Sequence, residues 1–291
     1  MRVAIIGAKG QLGSDLVARL GAQAIPLAHA AIDIRDPSSV WTVLDGERPD
    51  TVVNCAAYNF VDKAESEREE AMLTNRRGPG YLADYCRERD LKLLHVSTDY
   101  VFDGRTGRKP WTEEDEPLPL STYAASKYAG EQLVLTHCPR HFVIRTCGLY
   151  GRNASHGKGN FVETMLRLGR DRSELKVVSD QYCTPTSTAH LASAIIDLTK
   201  TDAYGLYHAT NSGQCSWFEF AAEIFRIANL NTKLIPITTE EYGARARRPL
   251  YSVLNCSKLT NVLGWSMPPW RDALSQYLTE RDQSTASRSS R

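Results

Sequence analysis

Short β-branched runs alternate with segments whose apolar residues recur every three or four positions, the signature of strands separated by amphipathic helices. Runs at 2–6, 24–27, 51–54, 92–97 and 141–145 predict strands, and periodic stretches at 11–20, 38–44, 64–89 and 121–137 predict helices between them. Strand–helix–strand repetition of this kind predicts an α/β fold around a parallel sheet, with right-handed crossovers placing helices on both faces. Asp62-Lys63-Ala64-Glu65 has an acidic residue and a second carboxylate three positions on, which predicts a capping box at the start of the third helix.

The second half is less regular. A Gly-, Asn- and Ser-rich loop at 151–159 precedes a predicted helix at 160–168, then a short strand at 177–178 and a turn at 180–185. A helix at 188–199, a strand at 205–209 and an amphipathic helix at 217–228 follow. Residues 268–278 can pack as a helix, whereas 281–291 are polar and aperiodic and are expected to be disordered. The sequence has no internal repeat.

Composition narrows the function classes. With 291 residues, 42% of them hydrophobic, the chain can build one large core or two joined ones. Thirty-five Lys and Arg against 34 Asp and Glu leave a net charge of +1, which gives no support to a nucleic-acid or membrane-surface partner. The apolar run 3–6 is too short for a secretory core, and no stretch approaches the roughly 20 apolar residues of a membrane span. Seven scattered cysteines form no CxxC pair and lie at no zinc-ligand spacing from a histidine, so free thiols, no metal and a cytoplasmic location are expected.

Candidate chemistry begins at Gly7-Ala8-Lys9-Gly10-Gln11-Leu12-Gly13, directly after the first strand and opening the first helix. Glycines in this context allow a tight turn, admit a pyrophosphate close to the main chain and let helix and strand pack together. A nicotinamide dinucleotide, NADPH or NADH, is the cofactor expected. Pro26-Leu27-Ala28-His29 offers neither a ribose-binding carboxylate nor an Arg; Asp33 follows a few residues later on the adenine side, while Lys9 and His29 favour tolerance of a 2′-phosphate.

Tyr123 and Lys127 stand four residues apart on one face of the fourth predicted helix. Reduction of a ketone requires a proton for the developing alkoxide. Bringing a phenol from a pKa of about 10 to about 7 takes roughly 4 kcal/mol of preferential stabilisation, which a neighbouring ammonium and an oxidised nicotinamide can supply together. Ser97-Thr98-Asp99 ends the preceding strand, where side chains line the cofactor crevice, and the Thr98 hydroxyl can hold a substrate carbonyl.

Several other features have structural readings. The Trp217-Phe218-Glu219-Phe220 cluster reads as a packed helix face, and Trp265 and Trp270 as packing anchors. The acidic run 113–116 reads as a solvated loop, and His190 and His208 as structural. Asn75 either orders the site or satisfies backbone groups. The basic run 245–248, beside Pro249, favours binding of a phosphorylated ligand.

These motifs together resemble the extended short-chain dehydrogenase/reductase superfamily and, within it, the dTDP-4-dehydrorhamnose reductase family. The matching stretches include Gly7–Gly13, Asn54-Cys55-Ala56-Ala57-Tyr58, Val61–Glu65, Ser97-Thr98-Asp99-Tyr100-Val101-Phe102-Asp103-Gly104, Tyr123–Lys127, Asn160-Phe161 and Arg247-Arg248-Pro249, and they span nearly the whole chain. The resemblance implies a Rossmann-type doubly wound sheet (1–147 with about 178–204), a smaller C-terminal substrate lobe (148–177 with about 205–280) and a tail. It implies Tyr123 as proton donor, and Lys127 as its electrostatic partner and nicotinamide-ribose ligand. Thr98, Asp99 and Tyr123 would meet the sugar. Gly7, Gly10, Gln11, Leu12 and Gly13 would form the pyrophosphate turn, Asp33 and Ile34 the adenine contact, Ala56, Ala57 and Tyr58 the ribose edge, and Arg248 the neighbourhood of the nucleotide diphosphate.

The implied activity is NAD(P)H-dependent reduction of a nucleotide-linked 4-keto-6-deoxy sugar, dTDP-4-dehydrorhamnose first, by a monomer or homodimer. Two alternatives remain: a reductase or epimerase of another nucleotide sugar, and a non-catalytic NADP-binding regulatory subunit, against which Tyr123, Lys127 and Thr98 argue. Where the family reads RTSWVYG, this chain reads Arg145-Thr146-Cys147-Gly148-Leu149-Tyr150-Gly151, so Gly148 replaces a tryptophan near the sugar. Some members pair through a magnesium site built from glutamates; Asp15 is the one candidate here, so neither that metal nor that dimer is expected.

Overall fold

The structure is a computed structural model and describes residues 1–104, 108–153 and 159–289. Its first half runs β1 (Val3–Ile6), α1 (Gln11–Leu20), β2 (Ala24–Leu27), α2 (Pro37–Glu47), β3 (Thr51–Asn54), α3 (Val61–Ala64), α4 (Arg68–Met72), α5 (Gly78–Glu88), β4 (Lys92–Thr98), α6 (Thr122–His137) and β5 (His141–Thr146). The second half continues with β6 (Leu149–Tyr150), α7 (Phe161–Asp171), β7 (Glu174–Val178), β8 (Tyr182–Cys183), β9 (Thr186–Ser187), α8 (Thr188–Thr199), β10 (Gly205–His208), β11 (Cys215–Ser216), α9 (Trp217–Ile227), β12 (Lys233–Ile237), α10 (Thr239–Tyr242), α11 (Ser257–Leu263) and α12 (Trp270–Ser289).

Six strands form one parallel sheet in the order β10-β5-β4-β3-β1-β2. Alternation along β1 shows why it is sandwiched. Val3 and Ile5 face a core shared with Leu16 of α1 and Leu191 and Ile195 of α8. Ala4 and Ile6 face the opposite core with Val40, Leu82 and Val134 of α2, α5 and α6. The strand order reverses between β1 and β3, so a crevice opens there at the carboxyl ends. This is the predicted doubly wound α/β fold. A third core joins α7, α9 and α12 through Leu166, Phe220, Ile224, Trp270 and Leu274. Beside it β7 pairs with β12, a strand the sequence reading did not anticipate.

The third predicted helix, 64–89, is broken into α3, α4, a π-helical turn (Leu73–Arg77) and α5. The cause is a close approach from another element: a Cβ on Gly130 of α6 would lie 2.0 Å from the Asn75 carbonyl oxygen. Pro79, which has no N–H to donate, directly follows the π-helical turn. The capping box at Asp62 does not form, because the cap residue is Phe60, with no side-chain bond. Asp62 accepts instead from the Ala246 N–H at 3.0 Å and from Arg248, and Glu65 accepts from the Thr122 N–H at 2.8 Å. Both carboxylates tie α3 to distant chain.

At the other end α12 continues through most of the segment expected to be disordered. Arg281 anchors it, its guanidinium forking onto Glu163 of α7 at 2.7 and 3.0 Å. Residues 290–291, and 154–158 of the predicted loop, lie outside the described residues. No helix among the described residues is long and apolar enough to cross a membrane.

Candidate active site

The glycine turn is built by contact. Gly7 has φ +80°, and a Cβ there would meet the Ala56 nitrogen at 2.9 Å, across the reversal between β1 and β3. A Cβ on Gly13 would lie 2.3 Å from the Gly7 carbonyl oxygen, so α1 packs directly on the turn. At Gly10 no side chain caps α1, and its first turn holds no acidic residue, leaving N–H groups and the positive helix end toward the crevice. Gly10, Gln11, Leu12 and Gly13 line a cleft of about 430 Å³ that also contains Thr98, Asp99, Tyr123 and Lys127. Gly7, Asp33, Ile34, Ala56, Ala57 and Tyr58 line an adjoining cavity of about 710 Å³. The two share Gly10, Cys55, Ala57 and Asn59, giving one elongated path. A backbone cradle that no Cβ could occupy, a bare helix terminus and a lysine further along suit a dinucleotide.

Tyr123 enters from the first turn of α6, whose start is fixed by Ser121 accepting from the Ala124 N–H at 3.2 Å. It lines the same cleft as Thr98 at the end of β4. Burial pushes the phenol up from its ordinary value; Thr98 opposes this and the Asp99 charge adds to it. Lys127 stands one helical turn on, but its ammonium donates to the Val96 carbonyl at 2.6 Å and lies 3.4 Å from His95 Nε2. Burial pushes Lys127 down to about 8, with Glu131 opposing.

Asp99 is almost completely buried, and burial pushes it up to about 6 against hydrogen bonds from Ser252, Cys147 and Thr98. Asn75 does both, satisfying backbone groups and ordering the site. Its amide oxygen accepts from the Tyr58 N–H at 2.8 Å, and its nitrogen donates to the Tyr58 carbonyl and to Ser126 on α6. The loop after β3 is thereby fastened to the tyrosine helix.

Arg35 is the residue the sequence reading missed on the adenine side. Its guanidinium forks onto Asp33 at 2.9 and 2.7 Å and reaches Glu70 at 3.2 Å, holding Asp33 down at about 2. It lines the cavity with Lys9 and His29, so three basic side chains stand there, not two. The signal for it is the Asp33-Ile34-Arg35 spacing that follows β2. Arg248 does not join the wall of either cavity. It is held to Asp62 at 2.7 Å, lies over the Tyr242 ring, and its Nε has no partner.

Trp217 packs on Phe161, as read, but also lines the cleft. Trp270 is a buried anchor against Phe220. In the acidic run, Glu113 accepts from the His208 N–H and Asp115 from the Thr112 N–H, while Glu114 and Glu116 are exposed. His208 is buried neutral, pushed down to about 3 by burial and Arg145. Asp15 is hydrogen-bonded by Thr188, with Arg19, Arg152 and Glu280 beside it. Among the described residues no group of three or more His, Cys, Asp or Glu could hold a metal ion. Another cavity of about 490 Å³, beside Cys256 and Met267, is lined by no charged side chain.

Comparison with known proteins finds relatives along nearly the whole chain. The spore coat polysaccharide biosynthesis protein SpsK of Bacillus subtilis is 42% identical over 283 residues, covering 96% of this chain and 98% of that protein. The dTDP-4-dehydrorhamnose reductase of Escherichia coli is 37% identical, covering 98% and 100%. The crystal structure of the Bacillus anthracis dTDP-4-dehydrorhamnose reductase in complex with NADP is 41% identical, with a TM-score of 0.91 over 96% of this chain and 99% of that one. Residues 1–283 match the RmlD substrate binding domain family, and the chain belongs to that family.

Proposed function

We propose that this chain is an NADPH-dependent reductase of a dTDP-linked 4-keto-6-deoxyhexose, converting dTDP-4-dehydrorhamnose to dTDP-L-rhamnose. The observation that carries the reading is that Tyr123, Thr98 and Lys127 line one cleft, which begins at the glycine turn. Family membership gives the substrate class, through relatives named for that reaction.

A reduced nicotinamide supplies a hydride equivalent to the ketone carbon. Gly7, Gly10, Gln11, Leu12 and Gly13 would hold its pyrophosphate on backbone N–H groups, and Lys127 its nicotinamide ribose. Ala56, Ala57 and Tyr58 would border the adenine-side ribose, and Asp33, Ile34 and Arg35 the adenosine end. Thr98 and Tyr123 present two hydroxyls to the ketone oxygen. Tyr123, kept protonated by burial, donates its Oη proton as charge develops there, because even a phenol with a raised pKa is more acidic than a secondary alcohol. The Lys127 ammonium, at pH values below about 8, adds a positive charge that favours the same transfer. Asp99, oriented by Ser252, accepts from a sugar hydroxyl. Arg248, with a free Nε beside Asp62, is placed to turn toward a diphosphate.

In this reading residues 1–147 with about 178–204 carry the dinucleotide and 148–177 with about 205–280 the sugar. The enzyme works in the cytoplasm as a monomer or homodimer. The test is NADPH consumption by the purified chain with dTDP-, GDP- and UDP-linked 4-keto-6-deoxy sugars. Turnover of the dTDP sugar is expected, and consumption with GDP or UDP sugars alone, or with none, overturns the reading. Tyr123→Phe should bind NADPH normally while losing about a hundredfold or more in kcat; a variant with near-normal kcat removes Tyr123 from the role.

A further inference from the structure

The half-buried indole at Trp217 has no role in the chemistry above, and its surroundings give it one. Trp217 is the first residue of α9, and a capping box fixes that helix start: Ser216 accepts from the Glu219 N–H at 3.1 Å while Glu219 accepts from the Ser216 N–H at 2.7 Å. The ring is backed by Phe161, with centroids 4.7 Å apart, and by Phe220 at 6.4 Å. What remains uncovered lines the cleft with Thr98, Asp99 and Tyr123. A rigidly mounted aromatic surface therefore stands in the same cavity as the proposed proton donor.

Gly148 makes this placement possible. It has φ +53°, and a Cβ there would meet Trp217 Cη2 and the Pro185 Cα at 3.3 Å each. A side chain at 148 would be strained in the backbone and would press on the indole edge. Between Cys147 and Leu149, which also line the cleft, Gly148 adds no side chain beside the indole.

A hexopyranose has two kinds of surface. Hydroxyls project around its rim, and patches of C–H on its faces are apolar; a 6-deoxy sugar adds a methyl group. The cleft is divided the same way, with Thr98 and the Asp99–Ser252 pair offering hydrogen bonds and Trp217 offering an apolar face. We propose that Trp217, seated over Gly148, is the stacking platform for the hexose ring of the nucleotide sugar and favours a 6-deoxy sugar by covering its C–H face and methyl group. This rests on the reductase reading for the identity of the ligand.

The test measures the affinity of the NADPH-loaded enzyme for dTDP-L-rhamnose and for dTDP alone, by calorimetry, in wild type, Trp217→Ala and Trp217→Phe. Trp217→Ala should lose about tenfold in affinity for dTDP-L-rhamnose, equivalent to about 1.4 kcal/mol, with its affinities for dTDP and NADPH within about twofold of wild type. Trp217→Phe, which keeps an aromatic face on Phe161, should recover most of the loss and carries the test if the alanine variant misfolds. Equal losses for dTDP and dTDP-L-rhamnose, or no loss for either, overturn the platform. So does a wild type that binds dTDP-L-rhamnose no better than dTDP. A selective loss at Trp217 in an enzyme that reduces no 4-keto sugar supports the platform and overturns the reductase assignment, so the two fail separately.

Discussion

Glu131→Gln is the substitution whose cost is most fully set by the structure. Glu131 on α6 is completely buried and Arg145 on β5 is 2% exposed. The guanidinium forks onto the carboxylate at 3.1, 3.2 and 2.8 Å, its Nη1 finds no acceptor, and its carbon lies 5.1 Å from the centroid of the Phe102 ring. Glutamine keeps the volume and one acceptor but removes the charge, leaving a guanidinium in the interior with an already unpaired nitrogen. Removing one partner of a buried pair costs about 3–5 kcal/mol, which for a chain of this size corresponds to roughly 10 °C in Tm. A second effect falls on function. Glu131 is the charge that holds the Lys127 value up against burial, so the variant should discharge Lys127 at a pH lower than about 8 and shift the alkaline limb of kcat with it. Urea unfolding followed by circular dichroism measures the first effect, and a kcat–pH profile the second. Glu131→Leu with Arg145→Met should regain most of the stability, since it leaves no charge buried. A loss below about 1 kcal/mol, or an unmoved alkaline limb, would refute the reasoning.

Asp99→Asn should abolish an inflection near pH 6 in the KM for the sugar, because the buried carboxyl titrates at about 6. Its folded value lies above its unfolded one, so its contribution to stability is complete below about pH 4 and is lost as pH rises through 6. The asparagine variant should lack that decline in unfolding experiments across the same window, and an identical decline excludes Asp99 as its source. Arg35→Ala should raise the KM for NADPH about tenfold and leave that for NADH nearly unchanged, since Arg35 lines the adenosine-end cavity with Lys9 and His29. Equal shifts for both cofactors would mean that Arg35 serves only to neutralise Asp33 and Glu70.

What could be read from the sequence was local. The passage from β1 through Gly7 to α1 is specified by turn glycines and an apolar run, and Tyr123 and Lys127 fall on one face of a helix through their spacing alone. Features set by a partner far along the chain could not be read this way. The interruption of 64–89 depends on Gly130 meeting the Asn75 carbonyl. Asp62 has the sequence of a helix cap but the surroundings of a clamp, because Ala246 and Arg248 arrive beside it only after folding. Trp217 reads as a packed aromatic by periodicity, and the room for its ring at the cleft is left by Gly148, in the link between β5 and β6. In each case a residue type with two legitimate uses was decided by a neighbour its own segment does not encode.

The protonation of the cleft follows from such neighbours as well. Asn54 is oriented by its Oδ1, which accepts from the Ala56 N–H at 3.0 Å, so its Nδ2 donates to His95 Nδ1 at 3.1 Å. Burial, and then the Lys127 charge, push His95 far down and keep its ring neutral, which puts its one proton on Nε2, facing the Lys127 nitrogen at 3.4 Å. A neutral amine can accept that proton's hydrogen bond, whereas an ammonium must turn its own protons elsewhere, as toward the Val96 carbonyl. Desolvation is what disfavours the charged lysine, with Glu131 opposing it. Tyr123 is displaced the opposite way, toward the neutral phenol. The resting cleft thus holds a tyrosine that keeps its proton, the state a ketone reduction requires before substrate arrives, beside a lysine whose charge is present only below about pH 8; the reverse reaction must first remove the phenolic proton.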